Sequence, residues 1–172
     1  MKLKAVLLVA LMALNLSAIT VGEIPKEVII SGDKGGLISG GEWSSSAIKD
    51  KVYVLFYVDP DEKDVNEHYS KALKAKKYRE KGAFGSIAII NLAATWKPNF
   101  IIEKVLASKQ KEFPTTIYIK DKASVLVKEW GVDDDASNIL IFDKTGKLLF
   151  YKSGKMQEDD MKKSFEIIEA NL

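Results

Sequence analysis

"VLFYVDPDEKDVNEH", residues 54–68, is the stretch from which the fold class can be read. With the two residues before it, the run "VYVLFYV" (52–58) is almost wholly apolar and rich in β-branched and aromatic residues. A central strand covered on both faces has this composition. The run stops at Asp59, whose side chain can accept from the free amides of a helix start. Pro60 suits the first helical position, and Asp61 and Glu62 favour the positive end of a helix dipole. Helical spacing of Val65, Tyr69, Ala72 and Leu73 then predicts a helix over 62–81, closed by Gly82. A buried strand running straight into a helix is the first half of a βαβ unit.

The flanking segments repeat that alternation. "FGSIAIINL" (84–92) is a second buried strand. "KPNFIIEKVLASKQK" (97–111) is a helix with Pro98 in its first turn and apolar residues at 101, 102, 105 and 106. "TTIYIKD" (115–121) is a third strand, and "ASVLVKEWGV" (123–132) is a short helix or irregular segment ending at Gly131. "NILIFDKTGKLLFYKSG" (138–154) reads as a hairpin turning at Asp143-Lys144-Thr145-Gly146. "QEDDMKKSFEIIEANL" (157–172) is an amphipathic helix with Phe165, Ile168 and Leu172 on its buried face. Ahead of the central strand, "EIPKEVIISGDKGGLI" (23–38) predicts two short strands joined by a Gly-rich turn, an N-terminal β-hairpin. The order implies an α/β protein with a three-layer α/β/α arrangement and a mixed central sheet.

The first 18 residues, "MKLKAVLLVALMALNLSA", have the layout of a secretory signal: two lysines, an apolar run, then small residues. The expectation is cleavage after Ala18, a single domain over 19–172, and a periplasmic address with no stable membrane span after removal of the signal. Lys2 and Lys4 account for the whole formal excess of +2, so the processed chain is close to neutral. Such a balance gives no reason to expect nucleic acid as a partner. The chain has no cysteine. That excludes disulfides, and it excludes thiol chemistry, which needs a thiolate.

The order of elements, the Trp43 to Lys51 stretch before the first core strand, Phe113-Pro114 before the third, Trp130 after it, and "FDKTGK" together resemble the YtfJ-like family. That family is an exported, cysteine-less branch of the thioredoxin-like superfamily of the peroxiredoxin and TlpA type. The resemblance covers roughly residues 22–172 and implies a thioredoxin-like fold. It also places Asp59 to Asp64 where the redox members carry Cys-x-x-Cys, and Ser137 where they carry a cis-proline. Both halves of a redox site are then absent, and the resemblance implies a redox-inactive protein that binds an envelope protein or peptide. Pro114 is read as a strand-entry proline.

Two readings of the acidic junction stand side by side. In the first, Asp59, Pro60, Asp61 and Glu62 are a helix start and nothing more. In the second, the fold brings the loop Asp133-Asp134-Asp135 beside that start. Asp59, Asp61, Asp133, Asp134 and Asp135 then offer oxygen ligands to Ca²⁺ or Mg²⁺. No EF-hand is present, because the sixth position from Asp59 is Asp64 and the twelfth is Ser70. His68, the sole histidine, makes neither a zinc site nor a catalytic triad. Lys71, Lys74, Lys76, Lys77, Arg79 and Lys81 form a basic helix face, ordinarily a solvated one, with an anionic envelope surface or acidic partner as the sharper reading. Ser44 to Ser46 reads as a connector. No nucleophile and base pair is visible for an enzyme of another class.

Overall fold

The computed structural model describes residues 18–172, so the signal segment lies outside the described residues except for Ala18. At the centre is β4 (Val52–Val58), the strand read from the opening stretch. It pairs in parallel with β5 (Phe84–Asn91), which pairs in parallel with β6 (Thr116–Asp121). On its other side β4 is antiparallel to β7 (Ser137–Phe142), which forms the predicted hairpin with β8 (Leu148–Ser153). With β2 (Gly35–Leu37) at the far edge, the six-stranded mixed sheet runs β2-β6-β5-β4-β7-β8.

Both faces of the sheet are covered, and the alternation of side chains along β4 shows why its sequence is so apolar. Val52 and Val54 face α1 (Glu67–Ala75) and α4 (Glu158–Asn171), packing with Tyr69, Leu73, Ile139, Ile141 and Ile168. Leu55 and Tyr57 point the other way, toward α3 (Val125–Trp130), and pack with Leu126, Trp130, Leu140 and Phe142. α2 (Asn99–Glu112) lies in the α1 layer: Phe84 and Ile90, on one face of β5, meet the α1 core and the α2 core respectively. Only Ile102 and Leu106 of the four predicted apolar positions on α2 are buried; Ile101 and Val105 face outward.

Local signals explain the turns. Asp143 Oδ1 accepts from the amides of Thr145 (2.7 Å) and Lys147 (3.0 Å), and Gly146 takes φ 86°. α4 opens with a capping box between Gln157 and Asp160. Asp121, the last residue of β6, ties down the start of α3, its carboxylate accepting from the amides of Val125 (2.6 Å) and Leu126 (3.3 Å).

Two local expectations change. The helix read over 62–81 is broken into a 3-10 turn at Pro60–Glu62, α1, and a second 3-10 turn at Tyr78–Lys81. Lys77, in the left-handed region at φ 53°, interrupts the helix, and Asn66 gives its side chain to tertiary partners. The two N-terminal strands also do not pair with each other. β1 (Ile29–Ile30) pairs antiparallel with β3 (Trp43–Ser44), while β2 joins the edge of the main sheet against β6. Glycine permits that edge contact: a Cβ on Gly35 would lie 2.0 Å from the Lys120 carbonyl oxygen. Among the described residues no helix is long and apolar enough to cross a membrane, and no peptide bond is cis.

Candidate functional site

The acidic junction sits at the carboxyl end of β4, as its sequence placed it. Asp59 is buried, and its Oδ1 accepts from the Asp61 amide at 2.8 Å. It therefore caps the 3-10 turn, with Pro60 in the first position. Burial pushes the Asp59 carboxyl above its usual range, against the opposing effect of the hydrogen bond from Asp61; Asp61, Asp135 and Glu62 add repulsion. Asp61 is more exposed and behaves oppositely. Its carboxylate is held below the usual range by the Lys97 ammonium and by the Thr95 hydroxyl, which donates at 2.8 Å.

The second acidic loop does arrive beside the first. The Asp59 amide donates to Ala136 O at 3.0 Å, and Ser137 is the register partner of Val58. Ser137 thus occupies the predicted position next to the junction, in an ordinary trans backbone, accepting from Asn66 Nδ2 at 3.0 Å. The five acids do not converge, however. Asp134 Oδ1 accepts from Asn91 Nδ2 at 2.8 Å. Asp133 takes part through its backbone, donating to the Tyr151 hydroxyl (3.2 Å) and accepting from Asn138 Nδ2 (2.9 Å). Asp135 is exposed and is felt at Asp59 only as repulsion. Among the described residues no three acids or histidines form a group that could hold a metal ion.

Beneath the junction lies a polar layer that pattern reading missed. Tyr57 OH donates to Asp121 Oδ2 at 3.2 Å, and burial first, then the Asp121 charge, drives the phenol pKa upward. Asn138 accepts from Tyr151 OH at 3.0 Å, and Asn66 Oδ1 accepts from the Met156 amide at 2.8 Å. His68 Nε2 lies 2.8 Å from Met156 O, which can only accept, so that ring nitrogen carries the proton. Each of these groups bonds another part of the chain. Only the polar residues inside otherwise apolar strands, Asn91, Asp121 and Asn138, hinted at this layer.

Among the described residues, two surfaces stand open. The first is a cavity of about 180 Å³ between the N-terminal segment and the final hairpin, with Ile48, Trp130 and Phe142 as apolar lining and Glu27, Ser45, Ser46 and Lys49 as polar lining. Ile24, which is exposed, lines both this cavity and a neighbouring space of about 120 Å³. Ser44 Oγ donates to Glu27 Oε1 at 2.6 Å and sits 2.7 Å from Ser46 Oγ, so the segment read as a connector is ordered around a carboxylate. Glu27 stands 17 residues upstream of Ser44, and the β1–β3 pairing brings them together. The second surface is the outer side of α2 and the loop before it. There Trp96 is 86% exposed and Phe100 72% exposed, beside Ile101 and Val105. Thr95 and Lys97, on either side of Trp96, both reach Asp61, so the junction acid ties down the loop that presents the tryptophan.

The family described as "Bacterial protein of unknown function (YtfJ_HI0045)" matches residues 16–171. The chain belongs to this family. It is 23% identical over 133 residues to Uncharacterized protein YtfJ of Escherichia coli (strain K12), covering 76% of this chain and 72% of that one. Among solved structures, a peroxiredoxin-like protein from Aquifex aeolicus superposes with a TM-score of 0.58 at 16% identity, covering 88% of this chain and 89% of that one. The pneumococcal exposed lipoprotein thioredoxin from Streptococcus pneumoniae superposes with a TM-score of 0.56 at 15% identity, covering 83% and 99%. The fold is thioredoxin-like, and without a cysteine this member of it has no thiol for the redox chemistry of a Cys-x-x-Cys site.

Proposed function

We propose that this protein is an exported binding protein of the bacterial periplasm that holds a protein or peptide partner, with the cavity beside Ile24 as the partner's seat. The observation that carries the reading is the contrast between the two ends of the molecule. At the thiol position of the fold, polar groups are closed off by internal hydrogen bonds. Between the N-terminal segment and the hairpin, a cavity of about 180 Å³ stays open with an apolar floor and a hydroxyl and carboxylate rim. A space of that size takes one apolar side chain of an extended peptide rather than a drug-sized ligand, whose pockets are roughly 300–1,000 Å³. Glu27 and Ser46 at the rim already bond Ser44, and Ser45 bonds the Val28 amide, so a peptide's amides would meet only the acceptor capacity these oxygens have left. The two-lysine, apolar, small-residue start of the sequence supports the compartment.

A photo-crosslinking residue at Ile24 or Ser46, introduced in cells, tests this. The expected result is a discrete adduct from both positions. Ser46→Trp should fill the cavity, suppress the Ile24 adduct and leave the melting temperature unchanged. Adducts no stronger than those from Glu166, on the outer side of α4, would remove the cavity from the proposal.

A further inference from the structure

We propose that the outer face formed by α2 and α1 docks on an anionic phospholipid bilayer, independently of the peptide reading above. Three observations carry it. First, charge is segregated. Residues 67–81 hold six Lys and Arg against two Glu, and residues 97–113 hold four Lys against two Glu, in a chain whose totals are 26 and 24. The remainder of the protein is therefore net acidic, and these two helical segments hold the larger of its two basic excesses; the other, four Lys against one Asp over 143–155, lies on the final hairpin.

Second, lysines of the two helices meet, although Lys71, Lys76, Lys77 and Lys109 also pair with carboxylates. α1 and α2 cover the same face of the sheet, and Lys74 of α1 and Lys109 of α2 both lie 5.2 Å from the centroid of the Phe113 ring. Lys104 and Lys111 also belong to α2; among the described residues neither has an ion-pair partner. Each ammonium near an anionic lipid surface contributes favourably, and salt weakens the effect.

Third, the apolar side chains on this face project outward. Trp96, Phe100, Ile101 and Val105 all stand exposed, and neither described cavity lies on this side. An apolar segment of a partner usually settles into a groove. Exposed aromatic side chains beside lysines instead match the headgroup region of a bilayer, where tryptophan and phenylalanine enter and lysines stay among the phosphates. Asp61 lies at the Trp96 end, but the Lys97 ammonium offsets its charge. No helix inserts across the membrane in this arrangement; the protein rests on the surface by one edge of its helical layer.

Trp96 supplies the readout. The other two tryptophans, Trp43 and Trp130, are buried, so solvent-exposed indole emission comes from Trp96. The protein purified from its own cells, with its N-terminus defined by mass spectrometry, is mixed with vesicles of phosphatidylethanolamine and phosphatidylglycerol, and with neutral phosphatidylcholine vesicles. Co-sedimentation and a blue shift of the Trp96 emission are expected with the anionic vesicles only, both weakening as salt rises. Lys104→Glu with Lys111→Glu should lower the apparent affinity by at least about thirtyfold, each lysine near such a surface being worth roughly fivefold. Trp96→Ser with Phe100→Ser should also weaken co-sedimentation, while circular dichroism stays that of the wild type. Failure to sediment with anionic vesicles at low salt overturns the proposal. Equal binding to neutral vesicles, or binding unchanged by the two lysine reversals, does so as well. A blue shift produced by a soluble envelope protein but not by vesicles would assign the face to a protein partner instead.

Discussion

Asp59→Ala should destabilise the protein by about 1 kcal/mol, within the range of roughly 0.5–2 kcal/mol for loss of a helix cap. The lower half of that range is expected. Asp59 caps one 3-10 turn, and the Asp61 amide it holds belongs to an exposed residue that water can reach. For a domain of this size such a loss lowers the melting temperature by about 2–4 °C. Asp59→Asn separates capping from charge, since its amide oxygen still accepts from Asp61. Burial raises the Asp59 pKa in the folded state. Its contribution is thus most favourable below the unfolded carboxylate pKa of about 3.9, and is lost as pH rises through the folded value. At pH 7 the ionised carboxylate carries that cost, which asparagine removes. Asp59→Asn should therefore match or exceed the wild type at pH 7, with the difference shrinking on acidification. Urea unfolding of the three proteins at pH 7 and pH 4 reads this directly. Asp59→Ala as stable as wild type would refute the capping argument. Millimolar Ca²⁺ or Mg²⁺ raising the wild-type midpoint, with the rise lost in Asp59→Asn, would instead show the junction acids sharing an ion.

Asp61→Asn should release the Trp96 loop, seen as lower hydrogen-exchange protection over residues 93–98. Because the Asp61 pKa is depressed, the wild-type restraint should hold above the unfolded carboxylate pKa and fade as pH falls through the folded one. Unchanged protection in Asp61→Asn would mean that Thr95 and Lys97 do not restrain the loop. Gly35→Ala should destabilise by more than the roughly 0.4–1 kcal/mol that the same replacement gains at an unstrained site, since φ is 122° and the new methyl would meet the Lys120 carbonyl; a wild-type urea midpoint would argue against the tight β2–β6 approach. Insulin reduction and peroxide consumption should equal the buffer blank, and activity that follows the pure protein through two separations would contradict the redox-inactive reading. Mass spectrometry of the protein from cells should find Ile19 at the N-terminus; an intact Met1 or Lys2 would count against export with cleavage.

The sequence by itself determined the order and type of the main elements. An apolar strand such as Val52–Val58 can be buried on both faces only in a covered sheet, and Asp143 to Gly146 has the chemistry of one particular turn. It also determined the absence of thiol chemistry, because that depends on residue type alone. The tertiary structure decided which groups meet. Asp59 and Ser137 were legible as neighbours because the strand order puts their loops together, but whether five carboxylates converge depends on side-chain partners contributed by Asn91, Lys97 and Thr95 from elsewhere in the chain. The pairing of β1 with β3, and so the meeting of Glu27 with Ser44, likewise depended on β2 being drawn to the sheet edge. Helical periodicity at 101, 102, 105 and 106 marked all four positions as apolar, yet only packing against Ile90 and Tyr118 chose which two are buried. Hydrophobic patterning reports that a residue prefers to leave water; the geometry of its neighbours determines whether this chain or another surface provides the cover.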